Sequence, residues 1–322
     1  MIRPLSEYES CYKDIKIIGR GQFGIVYLVQ QKSTQKEFAA KKIKGECSNT
    51  ELDILFRLKH PNIINVYDCF RDENQIILIM DYCQKGDLWN MIQYRILEGK
   101  NRGYIQKVVE QWLVQLLMGL AYIHDNNVIH RDLKSSNILI KEDGQLKIAD
   151  FGVAKILGGE KMAKTIAGSP FYLSPEISQG QDYTFSSDLW SLGCILFEMC
   201  TLKRAFEGDQ FDKEILIQDQ IEPTLTDIRT YSSELVNLIQ SLLDVDAQKR
   251  PSAKELLRSS YIAKIMLQSF EKKSVKQQDM QKIGQVTMMQ KKAHEKYQKQ
   301  MSYVKQLLGN SQDSINAQSQ VL

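Results

Sequence analysis

Apolar and polar residues alternate in some parts of the chain and recur at helical spacing in others. Alternation over residues 12–44, 63–70 and 75–80 is typical of β-strands that bury one face. Between the first two stretches leucines recur every third residue, which predicts a short amphipathic helix over 51–58. The first quarter of the chain therefore predicts a small β-sheet with one helix against it.

Helical spacing dominates the following residues, up to about position 262. Over 105–124 the apolar residues at steps of three and four are Val109, Trp112, Leu113, Leu116, Leu120 and Ile123. A second stretch, 188–200, is apolar almost all round, which is typical of a central buried helix. Asp188 at its start is predicted to be the N-cap and to reach back to the backbone of a preceding loop.

One polar segment, residues 130–137, lies between two short apolar stretches and is thereby held on a rigid scaffold. Lys134 follows Asp132 by two residues and Asn137 follows it by five, with Asp150 further along. The spacing predicts a general base at Asp132 and a phosphate contact at Lys134. Asn137 and Asp150 are the predicted metal ligands. A solvated turn would explain the polarity of the segment but not this combination of residue types.

Three glycines lie in the turn between the first two strand patterns, in the segment Gly19-Arg20-Gly21-Gln22-Phe23-Gly24. This spacing lets a hairpin backbone lie close over phosphates, and Val26 can cover an adenine ring from above. The same spacing marks dinucleotide-binding folds, but there it joins a strand to a helix. Here a second strand pattern follows, which favours a nucleotide-binding hairpin.

Lys41 lies on the next strand pattern, two residues after the small Ala39, which leaves room for a purine. The neighbouring Lys42 is expected to be exposed. Glu51 is the candidate partner that would hold Lys41 on the phosphates. Only nine residues separate Lys41 from Glu51, so the first turns of this helix are expected to be missing. A glutamate on the protein surface is the alternative interpretation of Glu51.

The end of the strand pattern at 75–80 is predicted to form the adenine end of the pocket. Met80 would line its back, and backbone groups of Asp81 and Cys83 would pair with the adenine edge. Leu139 is a further predicted ATP contact. Asp87 is placed either to bind the ribose hydroxyls or to cap the next helix, and the sequence favours neither.

The segment between Asp150 and Glu176 is rich in Gly, Lys and Thr, and Thr165 is its best candidate for phosphorylation. A phosphate there would carry about −1.5 to −2 charges and would pair with Arg131 and Lys155. A loop threonine that is never modified is the alternative.

Two further contacts are expected at the end of this segment. Ser169 is predicted to shape the acceptor platform by hydrogen bonding toward Asp132 or Lys134. Glu176 and Arg250 are predicted to form a buried ion pair that closes the second region. Removal of either partner would strand a charge at a cost of about 3–5 kcal/mol.

Together these motifs resemble a eukaryotic protein kinase domain over residues 12–262. Three stretches are similar, more narrowly, to NIMA-related kinases: MDYCQKGDL at 80–88, QWLVQLLMGLAYIHDNNVIHRDLKSSNIL at 111–139 and AKTIAGSPFYLSPE at 163–176.

The resemblance implies an α+β, bilobal protein kinase fold. After an N-terminal extension over 1–11, the β-sheet lobe is expected at 12–80 and the mainly helical lobe at 85–262. A hinge at 81–84 would join the two lobes.

The resemblance also implies ATP and Mg²⁺ as cofactors, protein substrates phosphorylated on Ser or Thr, and activation by phosphorylation at Thr165. Lys134, rather than alanine, at this position resembles Ser/Thr kinases more than tyrosine kinases. Val66 stands where some members of the family have an inhibitory tyrosine, so that form of self-inhibition is not expected. Roles around microtubules, centrosomes, cilia or mitosis are implied as well.

The composition, 43% hydrophobic and 25% charged residues among 322, is typical of a globular protein. Six cysteines form no C-x-x-C pair or zinc-site spacing, which favours a reducing compartment. The first residues lack a signal-peptide core and no apolar run is long enough to span a membrane. A cytoplasmic location is expected, with the cytoskeleton, centrosome, cilium or nucleus as refinements, and no specific nucleic-acid partner.

After Tyr261 the composition shifts to Lys and Gln, and residues 263–322 contain ten lysines against four acidic residues. Apolar residues over 263–308 fit a coiled-coil seam, which predicts a homodimer that brings two kinase domains together for mutual phosphorylation. Two glutamines in the seam and Gly284, which costs about 1 kcal/mol in a helix, count against it. A solvated basic helix, disordered over 309–322, is one alternative. Docking on an acidic polymer such as a microtubule is another.

Two classes of function remain at this point. One is an active Ser/Thr kinase and the other is a catalytically weak scaffold of kinase shape that its basic tail would localise. Every catalytic residue type is present, which favours the enzyme.

Overall fold

The computed structural model describes residues 2–21, 24–44, 49–100, 103–151, 155–156, 169–206 and 228–269, with the backbone alone at 49–51 and 155–156. The described residues form a β-sheet lobe followed by a mainly helical lobe, which confirms the predicted α+β, two-lobed architecture. Three site residues predicted above, Gln22, Phe23 and Thr165, lie outside the described residues. Most of the basic tail does as well.

Six strands form the sheet of the first lobe: β1 (Ile2–Pro4), β2 (Tyr12–Gly21), β3 (Gly24–Gln31), β4 (Glu37–Lys44), β5 (Val66–Arg71) and β6 (Gln75–Met80). Their order across the sheet is β1-β5-β6-β4-β3-β2. The pair β1–β5 is parallel and the other four pairs are antiparallel. Strands β4 and β6 lie at the centre. Consecutive residues of each are buried, and because successive side chains point to opposite faces, both faces of these strands are largely covered.

The N-terminal extension is part of this lobe, although the sequence predicted no element there. Strand β1 pairs with β5 in the register Ile2↔Cys69, and the short helix α1 (Tyr8–Cys11) follows. The Tyr8 ring packs edge-on against Phe70 with 5.5 Å between centroids, and Tyr12 packs against Phe70 at 5.9 Å. The extension thus adds an edge strand and fills a hydrophobic cluster on the sheet.

Strand β5 begins three residues later than the alternating pattern predicts, at Val66 rather than residue 63. The intervening residues bind the second lobe instead, because the Ile64 N–H donates to the Ile148 carbonyl at 2.8 Å. In return the Ile148 N–H donates to the Asn62 carbonyl at 2.8 Å. Their apolar side chains are buried in the core shared with the second lobe.

Helix α2 (Asn49–Arg57) covers one side of the sheet, with Leu52 buried against Cys69 and Leu78. The helices of the second lobe are α3 (Leu88–Leu97), α4 (Gln106–Asp125), α5 (Pro175–Ser178), α6 (Phe185–Thr201), α7 (Ser233–Leu242) and α8 (Ala253–Arg258). Its short strands are β7 (Val128–Ile129), β8 (Ile138–Ile140), β9 (Leu146–Ile148) and β10 (Lys155–Ile156). Strand β7 pairs with β10, and β8 with β9.

The core of the second lobe is built on α4 and α6, the two helices that the sequence predicts most clearly. Leu113, Leu116 and Leu120 of α4 are fully buried, as is Trp190 of α6. Gly193 lets α6 approach the end of α7 closely, because a Cβ there would lie 2.8 Å from Leu243 Cδ2.

Helix α6 corrects the role expected for Asp188. The helix begins at Phe185 and Thr184 is the N-cap residue, whose N–H donates to Ser187 Oγ at 3.3 Å. Asp188 therefore lies inside the first turn, and the prediction that it is the N-cap is wrong. Its contact with the preceding loop is present and is described with the site below.

The chain continues past the expected end of the kinase domain without a break in the fold. A helix over 260–269 runs through position 262, and its residues Ile265 and Met266 are buried in the same core as α8. None of the helices in the described ranges combines the length and apolarity that crossing a bilayer requires.

Candidate active site

The polar segment 130–137 is held between β7 and β8, with a 3₁₀ turn at Ser135–Asn137. The Asp132 carboxylate lies at its centre and is only 9% exposed. Lys134 Nζ is 2.7 Å from Asp132 Oδ2, and the Ser169 N–H and hydroxyl donate to Asp132 Oδ1 at 3.1 and 3.3 Å. Lys134 also donates to Ser169 Oγ at 2.8 Å, so both contacts expected of Ser169 are present.

Asp188 holds the start of this segment in place from α6. Its carboxylate accepts the backbone N–H groups of His130 at 3.0 Å and Arg131 at 3.1 Å, and His124 Nε2 lies 2.9 Å away. Burial alone would raise the pKa of Asp188, but the contacts with His124 and His130 outweigh it and lower the pKa. An ionised carboxylate therefore fixes the backbone at Arg131, whose φ of +70° is in the left-handed region.

His130 is a positioning residue that the sequence did not single out. Its ring Nε2 is 3.0 Å from the carbonyl oxygen of Ala149, and the Asp132 N–H donates to its Nδ1 at 3.3 Å. The ring also packs against Phe151 with 4.9 Å between centroids. His130 thus ties the segment of Asp132 to the residues on either side of Asp150.

Asp150 and Lys41 meet across the two lobes. Lys41 Nζ is 2.8 Å from Asp150 Oδ1, and Lys41 stands on β4 opposite Val26 and Leu78. The φ of Asp150 is +64°, a left-handed conformation that the surrounding fold must enforce in a non-glycine residue. Glu51 lies in the first turn of α2, but its side chain is outside the described part of the structure, so its pairing with Lys41 stays a prediction.

Asn137 and Asp150 have the chemistry of a Mg²⁺ site, since that ion takes hard oxygen ligands such as carboxylate and amide oxygens. The Asn137 amide nitrogen donates to the carbonyl and carboxylate oxygens of Asp132 at 2.8 and 3.1 Å. Those bonds orient the side chain and leave its carbonyl oxygen for a cation. Asp150 adds a carboxylate, whose Oδ1 accepts from Lys41 at 2.8 Å. The donor set therefore fits Mg²⁺.

The glycine segment forms the hairpin between β2 and β3. Gly21 is opposite Gly24, Arg20 is opposite Ile25, and Gly19 is opposite Val26. Gly24 cannot be replaced without strain, because its φ is +135° and a Cβ would lie only 2.2 Å from the Lys42 carbonyl oxygen. The hairpin predicted from the glycine spacing is thus formed up to its outermost two residues.

The hinge presents the donor and acceptor pattern that an adenine edge needs. The Asp81 N–H donates to the Asn65 carbonyl at 3.1 Å, and the Cys83 carbonyl accepts from Gly86 at 3.1 Å. Among the described hydrogen bonds, the Asp81 carbonyl and the Cys83 N–H remain for a ligand. Met80 is opposite Ala39 in the β4–β6 pair, which places both at the same end of the sheet.

The structure shows one of the two roles left open for Asp87. Asp87 is the N-cap of α3, and its Oδ1 accepts from the Asn90 N–H at 2.8 Å. Its backbone also bridges to Leu139 on β8, which brings Leu139 next to the hinge. The capping role is thus observed, while binding of ribose by Asp87 stays a prediction.

A buried ion pair that the sequence did not predict fastens the hinge. Lys147 of β9 is 2.9 Å from Asp81 Oδ2 and donates to the Ile63 carbonyl at 3.0 Å. Asp81 also accepts from the Asn65 N–H at 3.0 Å and from the Tyr67 hydroxyl at 2.8 Å. Burial would raise the pKa of Asp81, but Lys147 and these hydrogen bonds lower it. The one available signal was a lysine inside an otherwise apolar strand pattern.

A second buried network lies under the catalytic segment. The Tyr172 hydroxyl is 2.8 and 2.9 Å from the two carboxyl oxygens of Glu198, and it is hydrogen-bonded to Ser135 Oγ at 2.8 Å. Burial raises the pKa of Glu198 to about 7. The network links the catalytic segment, the residues after Ser169 and α6. A single acid within the apolar α6 pattern was its only sign in the sequence.

The expected partners of a Thr165 phosphate are only partly described. Lys155 is on β10, opposite Ile129. The Arg131 guanidinium carbon lies 5.4 Å from the centre of the Tyr183 ring, and burial lowers the pKa of Arg131. Arg131 Nε is buried without a hydrogen-bond partner, so this guanidinium has unused donor capacity within the described residues.

Glu176 and Arg250 form the ion pair expected at the far side of the lobe. Two guanidinium nitrogens of Arg250 donate to the two carboxylate oxygens of Glu176, each at 2.8 Å. Burial would raise the pKa of Glu176, but the hydrogen bonds from Arg250 outweigh it and lower the pKa.

Comparison with known proteins places this geometry in a family. A family model described as a protein kinase domain matches residues 12–262. Serine/threonine-protein kinase Nek5 of Mus musculus is 38% identical over 265 residues, 79% of this chain and 41% of its own length. Nek5 of Homo sapiens is 36% identical over 269 residues, 79% of this chain and 37% of its own length. Nek11 of Mus musculus is 38% identical over 260 residues, 76% of this chain and 40% of its own length.

This chain therefore spans about two fifths of the length of these relatives. The matched part includes Asp132, Asn137, Asp150 and Lys41, the residues that the structure brings together. The chain belongs to the protein kinase family, and the relatives that it resembles are NIMA-related serine/threonine kinases.

Proposed function

We propose that the chain is an active protein kinase that transfers the γ-phosphate of Mg-ATP to serine and threonine hydroxyls of protein substrates. The observation that carries the proposal is the cluster at the lobe interface. Asp132, Lys134 and Ser169 are within hydrogen-bonding distance of one another. Asn137 donates to Asp132, and its backbone carbonyl accepts from the N–H of Ala149, the residue before Asp150, at 2.9 Å. The kinase relatives support the same function.

Asp132 orients the attacking hydroxyl and accepts its proton. Its carboxylate is largely buried and already accepts hydrogen bonds from Ser169, which is the geometry for receiving a further hydroxyl donor. Lys134 places a positive charge 2.7 Å from that carboxylate, so it can offset the charge of the transferred phosphoryl group. The chemistry is mainly positioning and charge neutralisation.

Asn137 and Asp150 would hold the metal through oxygen ligands, and Lys41 would hold the nucleotide phosphates. Bound Mg-ATP supplies the electrophilic phosphorus and a leaving group whose charge the metal neutralises. The glycine hairpin from Gly19 to Gly24 covers the phosphates, and the hinge backbone at Asp81 and Cys83 binds the adenine.

The test is transfer of labelled phosphate to a generic Ser/Thr acceptor by the full-length chain in Mg-ATP. The isosteric Asp132→Asn variant should lower kcat by at least about 100-fold, the usual contribution of a general base. Asp143→Asn, an exposed acid on the β8–β9 turn, is the control and should keep wild-type kcat. Should the wild type transfer no more phosphate than Asp132→Asn, even after phosphorylation by another kinase, the scaffold function replaces the enzyme.

Phosphorylation of Thr165 is the proposed activating step. The unused donor capacity of Arg131 supports it, because a phosphate that orders this segment needs a cationic partner next to the catalytic residues. Mass spectrometry of the autophosphorylated chain should find phosphate on Thr165, and Thr165→Ala should keep basal activity but lose the activation. Activation that persists in Thr165→Ala would contradict this step.

The basic tail is proposed to act in localisation or self-association. Its apolar seam supports a homodimer, and its excess of lysine supports binding to an acidic cytoskeletal polymer such as a microtubule. Sedimentation of the full chain and of residues 1–269 at micromolar concentration, alone and with microtubules, distinguishes dimerisation from polymer binding. Equal monomer masses with co-pelleting on microtubules would favour the polymer, and a dimer that requires the tail would favour the seam.

A further inference from the structure

Arg204 lies between two aromatic rings beside the acceptor platform. Its guanidinium carbon is 3.5 Å from the centre of the Phe171 ring and 5.0 Å from the centre of the Trp89 ring. Both distances are within the range of cation–π contacts. Rings from two separate elements, the turn Pro170–Tyr172 and helix α3, therefore fix this guanidinium in one place.

This position is close to where a substrate hydroxyl would meet Asp132. Phe171 is two residues after Ser169, whose N–H and hydroxyl both donate to Asp132. The next residue, Tyr172, is hydrogen-bonded to Ser135 in the catalytic segment. Because two residues of extended chain span no more than about 7 Å, the backbone of Phe171 lies within that distance of Ser169. A substrate residue near the acceptor can therefore reach Arg204.

The charge of Arg204 has no ionic partner among the described residues. The two carboxylate oxygens of Asp87, on the same side of the cleft as Trp89, are taken by Asn90 at 2.8 and 2.6 Å. Glu198 is within electrostatic range, but it is buried against Tyr172 and burial raises its pKa to about 7. Arg204 itself is partly exposed, as are both rings.

A stacked guanidinium keeps its N–H edge available for planar, bidentate binding of a carboxylate or phosphate. The rings remove the entropy cost of fixing a long side chain, so the site is preorganised for an anion. We propose that Arg204 binds an anionic side chain of the protein substrate, either Asp/Glu or a phosphorylated residue, within about four residues of the acceptor. This specificity determinant rests on the proposed kinase function.

The alternative is that Arg204 only joins α3 to the residues after Ser169. A merely structural arginine would affect all substrates alike, whereas a binding residue changes the ranking of substrates by charge. The experiment therefore compares peptides rather than total activity.

The test uses the full-length chain with Mg-ATP and peptides that share one acceptor serine. A single flanking position, scanned over four residues on each side, holds Ala, Asp, phosphothreonine or Arg. At one or more positions the wild type should have a kcat/KM about tenfold higher for the anionic peptides than for the Ala peptide, the gain expected from one charge-assisted hydrogen-bonded pair.

Arg204→Gln, which keeps a planar polar group without the charge, should remove that preference and leave the Ala peptide within about twofold of wild type. Arg204→Glu should turn the ranking toward the Arg peptide. Arg229→Gln removes an exposed arginine of the same lobe and should rank the peptides as wild type does. Equal kcat/KM for neutral and anionic peptides at every position, or a preference that survives in Arg204→Gln, would overturn the proposal.

The same peptide series distinguishes acidic side chains from phosphorylated residues as the anion that Arg204 binds. Similar values for Asp and phosphothreonine indicate acidic substrates, and a preference for phosphothreonine alone indicates substrates primed by another kinase. Both results support the site.

A binding measurement separates this inference from the kinase function itself. Peptides with Ala in place of the acceptor serine carry a fluorophore, and their binding to each variant is followed by anisotropy. If no peptide is phosphorylated, the proposed function fails, but tighter binding of anionic peptides to wild type than to Arg204→Gln still supports the Arg204 site. Identical binding of neutral and anionic peptides to wild type contradicts it.

Discussion

Arg250 and Glu176 illustrate how strongly single buried charges depend on their partners. The Arg250 side chain is fully buried, and two of its nitrogens are fixed by Glu176 at 2.8 Å. Such a pair contributes little beyond its own desolvation cost, but a remaining half is costly. Loss of one member of this buried ion pair is therefore expected to cost far more stability than the intact pair contributes.

Arg250→Met is expected to lower the free energy of unfolding by about 3–5 kcal/mol, because the Glu176 carboxylate would remain buried and unpaired. Denaturant unfolding monitored by circular dichroism measures the change. Lys249→Met is the matched control, since Lys249 is 69% exposed and 3.7 Å from Asp246, and it should cost less than about 1 kcal/mol. A similar cost for both variants would show that the pair is not as buried as described.

The pKa of Glu198 predicts a pH dependence of stability. Burial raises this pKa from 4.5 to about 7, so the folded state holds a proton that the unfolded state releases first. The stabilisation is present below pH 4.5 and is lost as pH rises to 7. Relative to Glu198→Gln, the wild type should lose about 2–3 kcal/mol of unfolding free energy between about pH 5 and 8. A difference between the two proteins that does not change with pH would refute this assignment.

At the level of elements, boundaries that follow an unbroken apolar pattern could be predicted, and those set by strand pairing or capping could not. Strand β6 spans the predicted 75–80, and α4 is shifted by one residue from the predicted 105–124. Strand β1 has three residues and exists through its pairing with β5, which local pattern does not encode. Helix α6 begins before its apolar run, because Thr184 caps it and the turn that leads to Asp188 is already helical.

Contacts in the site follow the same rule: those between residues close in sequence could be predicted, and those between distant residues could not. Asp132, Lys134 and Asn137 lie within one short segment, so their spacing alone predicted that they would meet. The contacts of Glu198 with Tyr172 and of Lys147 with Asp81 join residues far apart in sequence. Such contacts depend on the packing of whole elements, so no local pattern reveals them.

Helix α8 is short and depends on its N-terminal cap. Ser252 Oγ accepts from the Glu255 N–H at 3.2 Å, and the Ser252 N–H donates to Glu255 Oε2 at 2.8 Å. Ser252→Ala should lower the unfolding free energy by about 1 kcal/mol, measured by urea denaturation. Ser233→Ala, an exposed serine in the first turn of α7, should change it by less than half of that. Equal effects would mean that the cap does not stabilise α8.

At the scale of the whole molecule, the folded unit extends past the residues matched by the kinase family model. That model ends at residue 262, whereas Ile265 and Met266 are 6% and 3% exposed. Their burial removes apolar surface from water and contributes about 1.5–3 kcal/mol for each side chain.

A chain truncated after residue 262 should therefore melt at least about 5 °C below one truncated after residue 269, as measured by differential scanning calorimetry. Leu267→Ala in the longer chain is the control, because Leu267 is 55% exposed. It should leave the melting temperature within about 1 °C. Identical melting of the two truncated chains would place the end of the folded unit at 262.

Among the described residues, the two lobes share a buried apolar core and are also joined by specific polar contacts. The Lys41–Asp150 ion pair joins β4 of the first lobe to the second lobe, and the Lys147–Asp81 pair joins the hinge to β9. Helix α6 supports the catalytic segment through its buried acids. These contacts position Asp132, Asn137, Asp150 and Lys41, the proposed base, metal ligands and nucleotide-binding lysine.

A crystal structure of the chain with a non-hydrolysable ATP analogue and Mg²⁺ tests this arrangement. We expect the metal to be bound by the Asn137 carbonyl oxygen and the Asp150 carboxylate, with Lys41 on the phosphates and Asp132 facing the terminal phosphate. A metal held by other residues, or a terminal phosphate directed away from Asp132, would rule out the proposed roles of these residues.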